Sequence, residues 1–386
     1  MRDSAGLSYH QFKSVVKTVS SFFECSGYEL IDTPLLEKAE LFVRKSGVEM
    51  SSQIYTFLDP GGIRVSLRPE FTSSVIRHFI QGTESKTLPI RWQYSGPVFR
   101  YHNNDDGTYH QFTQLGAELI GDNSIKADAE ILSMAWDGLQ KAGLRNYRMV
   151  IGHIGIIYDV LEQLGLPEAT KLFVNNNVQR LRRTNESLTD LLAQAEESGL
   201  LNTSQIFVLG GSNIVLEPDF GREQVLEFLN NEVPRPYGSR TFDEIVDRLL
   251  KKSEEATSPK ALEAGLKLVQ ELVHIEGSYD EAIDKAKMII KRQGISTGVL
   301  DDFQNTLNEF GERGGDVNRL VVNFGLPSGI AYYTGIIFNI SHSGDADEVT
   351  LGSGGRYDGL VKSLGGEDVP ALGFAYNLDR VLDAIN

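Results

Sequence analysis

The chain has 386 residues, 41% of them hydrophobic and 23% charged, with a formal net charge of −16 at pH 7. That length suffices for two or three packed units, and the absence of an apolar run of 18 or more residues excludes a membrane-spanning helix. The acidic excess, 53 residues against 37 basic ones, excludes broad nonspecific nucleic-acid binding, which needs a basic surface. Basic residues cluster only briefly, at Arg180, Arg182 and Arg183 and at Lys251 and Lys252. No apolar segment follows Met1 to Ala5, so a secretory signal is not expected. Cys25 is the single cysteine and cannot form an internal disulfide. Set among Phe22, Phe23 and Tyr28, it is expected to be a buried, inert thiol of a cytoplasmic protein.

In chain order, Phe12, Val15, Val16, Val19, Phe22 and Phe23 recur at helical spacing over residues 9–26, and Gly27 ends that helix. Tyr28 to Ile31 reads as a short strand leading to Pro34. Two strand-like runs within 53–68 flank the turn Asp59-Pro60-Gly61-Gly62, a hairpin. Residues 89–100 and 109–120 read as paired strands around the polar loop Asn103-Asn104-Asp105-Asp106-Gly107, and Asp128 to Leu144 as a second amphipathic helix. From 153 to 317 helical periods dominate: Ile157–Leu164, Leu188–Ala195, Phe242–Leu250, Leu262–Val273, Tyr279–Ile290 and Leu300–Phe310. The run Ile206 to Leu209 reads either as a strand or as helix. Strands return at Leu320–Phe324, Ile336–Ile340 and Val349–Leu351, and a last helix is expected over Leu372–Ile385. The pattern predicts an α+β core, residues 1–152 plus 318–386, interrupted by a mainly helical insertion, 153–317.

Several short segments carry chemistry. Glu70 and Thr72, in Leu67-Arg68-Pro69-Glu70-Phe71-Thr72, place a carboxylate and a hydroxyl where they can accept from an ammonium group, although Glu70 reads equally as the cap of the following helix. Gln114 and Glu118 are four apart on a strand and point to one face, and a glutamate among apolar neighbours is costly unless it is paired. Gly352 to Leu360 (Gly-Ser-Gly-Gly-Arg-Tyr-Asp-Gly-Leu) follows Tyr332-Tyr333-Thr334-Gly335 after a short gap. Glycines there permit close backbone approach, while Tyr333, Arg356 and Tyr357 offer polar groups to a small amphipathic ligand. His102 and His110 have no carboxylate or thiol pattern beside them, so no metal site is expected. His153 reads as a structural histidine at a strand end.

In order, these segments resemble the motifs of histidyl-tRNA synthetases. Gly27 to Pro34 is similar to the first class II motif, Gly96-Pro97-Val98-Phe99-Arg100 to the second, and Gly373 to Arg380 to the third; Leu326 to Gly335 and Gly354 to Leu360 are similar to the two histidine motifs. The resemblance implies a class II aminoacyl-tRNA synthetase-like antiparallel sheet flanked by helices. It also implies a histidine site of Glu70, Thr72, Arg100, Gln114, Glu118, Tyr332, Tyr333, Arg356 and Tyr357. Within it Glu70, Thr72 and Gln114 match contacts to the α-amino group, and Glu118 and Tyr333 contacts to the imidazole; Arg100 matches a grip on the carboxylate and the ATP α-phosphate. Arg380 matches the γ-phosphate arginine, so Arg100 and Arg380 are candidates for a vestigial ATP site.

The departures from the family concern charge. Ser328 stands where the family carries the arginine of adenylation, a loss worth roughly 10²–10³ in rate. The family's Arg-x-Glu-Arg is here Arg100-Tyr101-His102-Asn103, its Gly-Arg-x-Arg is Gly107-Thr108-Tyr109-His110, and Asp105 and Asp106 add negative charge, all of which disfavours a triphosphate. Phe71 replaces a glycine and is expected to narrow the space beside the pocket; Asn377 replaces another and crowds the adenine side. The chain runs six residues past Arg380, so no anticodon-binding domain is expected.

Loss of catalytic charge beside a retained pocket is similar to the regulatory subunit of ATP phosphoribosyltransferase. That resemblance implies a non-catalytic chain of histidine biosynthesis with no cofactor. It would bind L-histidine, form homodimers within a hetero-octamer, and mediate feedback inhibition of a separate short catalytic subunit. Two alternatives stay open: an ATP-dependent histidine-activating ligase without an anticodon domain, and a histidine sensor for another partner.

Overall fold

The computed structural model describes residues 5–43, 51–82, 87–101, 110–183, 187–201, 205–209, 212–216, a few positions between 223 and 247, 257–327, 332–342 and 349–385. The expected features at His102, Asn103 to Tyr109, Lys251, Lys252 and Ser328 to Ala331 lie outside these residues, as does most of the helix expected over Phe242–Leu250. The chain divides into two compact units: Met1–Ile156 with Glu276–Lys285 and Gly298–Asn386, and Ile157–Ile275 with Ala286–Thr297. Residues 276–285 and 298–317, expected within the insertion, thus fall in the first unit, because a strand and a helix of theirs complete its sheet and core.

Strands are numbered in chain order: β1 (Glu29–Leu30), β2 (Leu36–Lys38), β3 (Thr56–Leu58), β4 (Arg64–Leu67), β5 (Ile90–Phe99), β6 (Gln111–Ile120), β7 (Tyr147–His153), β8 (Gln205–Leu209), β9 (Ser212–Leu216), β10 (Glu276–Ser278), β11 (Leu320–Asn323), β12 (Ile336–His342), β13 (Thr350–Arg356) and β14 (Ala371–Asn377). Among the described residues the first unit holds a nine-stranded sheet in the order β1-β5-β6-β14-β13-β12-β7-β11-β10, and a small sheet β2-β4-β3. The large sheet is mixed rather than wholly antiparallel. β1 runs parallel to β5, and β7 to β11, each pair being joined by the long crossover that parallel pairing needs. The α+β architecture itself is as the sequence predicts. Among the described residues no helix is long and apolar enough to cross a membrane.

Helix Gly6–Cys25 buries Val15, Val19 and Phe23, one helical stripe. Cys25, two residues beyond Phe23, lies off that stripe and is exposed, so the expected buried thiol is not found. Helix Ile125–Lys141 starts at an N-cap, where Ala127 N donates to Ser124 Oγ (3.2 Å). Both helices cover one face of the sheet: Phe374 meets Phe23 edge-on at 5.6 Å between ring centroids, and Tyr376 Oη donates to Ala135 O (2.6 Å). Helix Gly298–Glu312 adds Phe310 against Trp136 and Phe303 against His153.

Two further expectations are corrected. The last helix is Leu378–Ile385, and residues 371–377 form β14, in register with β13 and β6. Alternation decides this: Phe374 and Tyr376 pack on the helices while Gly373 and Ala375 face the opposite side. The glycine-rich run is likewise a strand, β13, longer than the expected Val349–Leu351. The hairpin at residues 59–62 is as predicted: Gly62 has φ 81°, and Ile63 N donates to Asp59 Oδ1 (2.8 Å).

The second unit contains helices Glu168–Asn176, Val178–Leu181, Leu188–Glu197 and Pro259–Val273 and the hairpin β8–β9, so Ile206–Leu209 is a strand. Helix Pro259–Val273 has Pro at its first turn and Ser258 as N-cap.

Gly354 leaves no room for a side chain: a Cβ there would lie 2.4 Å from Gly373 O, 2.6 Å from Phe374 Cβ and 2.7 Å from Phe338 Cζ. Gly354→Ala is therefore expected to lower the urea unfolding midpoint by the equivalent of about 1–3 kcal/mol, as overpacking does. An unchanged midpoint would show that the sheet can part there.

Candidate functional site

The sheet face opposite the two helices forms the floor of a cavity of about 460 Å³. Its floor is laid out by register. Glu118 on β6 stands opposite Gly373 on β14, Gly373 opposite Gly355 on β13, and Gly355 opposite Ile337 on β12. One alternation further along each strand, Gly116, Ala375, Ser353 and Asn339 form a second row. The glycines of the first row are required by contact. A Cβ on Gly373 would land on Glu118 Oε2, and one on Gly355 would lie 2.9 Å from the Tyr333 ring.

Glu118 is 1% exposed beneath this floor. Thr72 Oγ1 donates to its Oε1 at 2.7 Å, Tyr94 Oη to the same oxygen at 3.0 Å, and Tyr357 Oη to Oε2. Its oxygens are thus occupied by the protein's own hydroxyls. Thr72 and Tyr357 line the cavity, whereas Glu118, which their hydroxyls cover, does not. Burial pushes the Glu118 carboxyl up to about 8 against these hydrogen bonds, which favour the ionised form.

Glu70, Thr72, Arg100, Gln114, Tyr332, Tyr333 and Tyr357, all expected from the sequence, line this one cavity. Glu70 fulfils both of its readings: it also accepts from Ser73 N (3.1 Å), capping helix Thr72–Gln81. Its burial raises the carboxyl above the ordinary range, with Arg100 opposing. Gln114 Oε1 is buried with no hydrogen-bond partner among the described residues. Arg100 Nε donates to Pro69 O (2.9 Å), its guanidinium lies 5.3 Å from the Phe112 ring centroid, and desolvation lowers its pKa. Tyr332 meets Tyr333 and Tyr357 edge-on at 5.3 and 5.5 Å. Desolvation raises the pKa of all three phenols, so they stay neutral.

Three expected roles change. Arg356 is absent from the cavity lining; it is 7% exposed, with Nε donating to Asp128 Oδ1 (2.9 Å) and Nη1 to Asp358 Oδ1 (3.0 Å) and Asp122 O (3.2 Å). It ties the end of β13 to the start of helix Ile125–Lys141, and so holds the adjacent Tyr357. Phe71 does not narrow the cavity. It is fully buried, stacked on Tyr94 at 4.2 Å with the Arg68 guanidinium 3.8 Å from its centroid. Arg380 does not line the cavity either, and Nη1 donates to Thr350 O (3.0 Å).

Sequence reading missed Tyr94, which completes the Glu118 cluster, and Ser353, Asn339 and Thr350 on the floor. Strand register was the signal that could have found the floor residues. No group of three or more potential metal ligands occurs among the described residues, and His110 Nδ1 instead meets the Tyr55 hydroxyl.

A mixed sheet flanked by helices, with this cavity on its open face, defines a class II aminoacyl-tRNA synthetase-like fold. The chain belongs to the histidyl-tRNA synthetase family, whose model matches residues 2–219 and 239–381. It is 30% identical over 381 residues to the histidine–tRNA ligase of Methanococcus vannielii, covering 99% of this chain and 74% of that protein. To the histidine–tRNA ligase of Methanocaldococcus jannaschii it is 31% identical over 360 residues, 93% of this chain and 68% of that one. Among solved structures, an ATP phosphoribosyltransferase regulatory subunit/histidyl-tRNA synthetase from Bacillus halodurans superposes with a TM-score of 0.66 at 22% identity, covering 100% of this chain and 82% of that one. Apo S. aureus histidyl-tRNA synthetase gives 0.51 at 20%, covering 100% and 68%.

A carboxyl raised from an ordinary 4.5 to about 8 makes the folded chain bind a proton that the unfolded chain has released. Between those two values Glu118 therefore lowers stability as pH rises, by up to about 1.4 kcal/mol per pH unit, and its effect levels off above 8. Urea unfolding from pH 5 to 8 is expected to show a steeper stability loss in the wild type than in Glu118→Gln. Parallel curves would contradict the proton on Glu118.

Proposed function

We propose that this chain is a histidine-binding regulatory subunit acting on a separate ATP phosphoribosyltransferase catalytic chain, and that it does not itself activate histidine. The observation that carries this reading is a split in the cavity's chemistry. The groups suited to an amino acid and an imidazole converge, while Arg100 is the sole lysine or arginine in the lining among the described residues. The sequence stretches 102–109, 328–331 and 343–348, each of which comes within two residues of a lining residue along the chain, contain no lysine or arginine and include Asp105, Asp106, Asp345, Asp347 and Glu348. A triphosphate needs several cations to offset its charge. Histidine needs only Arg100 for its carboxylate, acceptors for its ammonium group, and hydroxyls for its ring.

The hydroxyl pattern supports histidine further. When Glu118 is ionised, the form that predominates above about pH 8, the protons of Thr72 and Tyr357 turn down into the carboxylate and their lone pairs face the cavity. Together with Glu70 and the free Gln114 Oε1, this makes a wall of acceptors, which selects a ligand rich in N–H donors. No cofactor or metal enters this reading. It carries a cytoplasmic location, and a homodimer within a hetero-octamer through the segment Gly27 to Pro34. The Bacillus halodurans protein bears both the regulatory-subunit and the synthetase name, which supports the partner class. The second reading, a histidine-activating ligase, is favoured by the 30% identity to an archaeal histidine–tRNA ligase over 99% of the chain.

Histidine-dependent ATP–pyrophosphate exchange separates the two. No exchange above background is expected, whereas adding the chain to a short phosphoribosyltransferase catalytic subunit should raise its activity and render it inhibitable by L-histidine. Because coupling is reciprocal, the partner's substrates should then weaken histidine binding by the same factor. Robust exchange would overturn the regulatory reading.

A further inference from the structure

The first row of the cavity floor continues across the sheet beyond Ile337. Ile337 stands opposite Gly152 on β7, and β11 runs parallel beside β7 with Val322 opposite Ile151. Asn323 therefore comes level with Gly152, and it stands opposite Glu276 on β10, the end strand of the described sheet. Asn323 is 4% exposed, and both polar atoms of its amide are used. Its Oδ1 accepts from Gly325 N (2.9 Å), the turn that an asparagine makes with the backbone two residues on. Its Nδ2 donates to Glu276 Oε2 (2.8 Å). Leu326 N donates back to Asn323 O (3.2 Å), which folds Leu326 over Gly152; a Cβ added to Gly152 would lie 3.4 Å from Leu326 Cβ. Leu326 and Pro327 thus line the cavity on the side away from β6.

We propose that Glu276 and Asn323 are a positioning pair: together they fix the turn carrying Leu326 and Pro327, and so set the affinity of the cavity for its ligand. The inference rests on the histidine reading above, in which that ligand is L-histidine. An amide has a donor side and an acceptor side, and each has one task here. The oxygen must face Gly325 N for the turn to hold. A half rotation of the amide would set its nitrogen against that N–H, two donors face to face. The Glu276 carboxylate, which can only accept, binds the nitrogen and selects the rotation in which the oxygen holds the turn. The wall matters because the groups named for histidine stand on the other side. Gln114 is on β6, Thr72 bonds to Glu118 of β6, and Arg100 lies against Phe112 of β6. Leu326 and Pro327 close the cavity across from them, although neither Glu276 nor Asn323 lines it.

The test is a double-mutant cycle on the full chain with Asn323→Asp, Glu276→Gln and the two combined, at about pH 8.5, where an aspartate is ionised. Two quantities are read: L-histidine affinity by calorimetry, and amide hydrogen exchange of residues 323–327 by mass spectrometry without ligand. Asn323→Asp sets two carboxylates face to face, and is expected to bind L-histidine about tenfold more weakly and to exchange faster over 323–327. Glu276→Gln is expected to stay within about twofold of wild type, because a glutamine oxygen still accepts from Asn323. The combined variant is expected to regain affinity to within about threefold of wild type, since donor and acceptor have only exchanged places. A general loss of stability would not be repaired by a second substitution. Faster exchange in Asn323→Asp with unaltered L-histidine affinity would overturn this inference alone, as would a combined variant no better than Asn323→Asp. Failure of the wild type to bind L-histidine would sink the histidine reading and this inference with it.

Discussion

A carboxylate buried at the centre of a sheet organises this molecule. Leaving Glu118 unpaired would cost several kcal/mol, and three hydroxyls from three separate segments answer it: Thr72 at the start of a helix, Tyr94 on β5 and Tyr357 after β13. Glycine at 373 is imposed by the same group, since any side chain there would occupy the place of Glu118 Oε2. Folding and site formation are thus one event. Two of the three, Thr72 and Tyr357, also line the cavity wall.

Around this cluster, several side chains that resemble ligand contacts work one layer out. Arg356 links the end of β13 to Asp128 and Asp358 and thereby holds the backbone next to Tyr357. Arg68 donates to Thr33 O and Pro97 O and lies on the ring of Phe71, which itself stacks on Tyr94. The chain that begins at an exposed β1 edge is therefore connected, through Arg68, Phe71 and Tyr94, to Glu118. Phe71, in place of the family's glycine, adds bulk to this support without taking space from the cavity.

Much of the fold was legible because its signals are local. Helix Gly6–Cys25 shows its period, the hairpin at residues 59–62 its turn residues, and β5 with β6 their β-rich composition. Segments whose environment is set by distant partners were less so. Residues 372–377 read as helix because Gly373 and Ala375 break no helical period, while in the sheet both are kept small by β6 and β13. Seven of the nine residues expected to hold histidine converge on the cavity, because motif spacing reflects the strand register. Arg356 was misplaced because sequence cannot distinguish an arginine aimed at a ligand from one aimed at Asp128. Ser353 and Asn339 went unnoticed because nothing in their sequence surroundings marks them; only their cross-strand pairing does.

The central claim is that the hydroxyl wall set by Glu118 reads the nitrogen donors of an imidazole. Parallel calorimetric titrations with L-histidine and with L-phenylalanine, which has a ring but no N–H in it, test this most directly. A site built to hydrogen-bond its ligand rejects an analogue lacking the donors by about 10⁴-fold in favourable cases, so clear binding of L-histidine and no measurable binding of L-phenylalanine is the predicted result. Comparable affinities for the two, or an affinity for L-histidine unaltered in Tyr357→Phe, would contradict it.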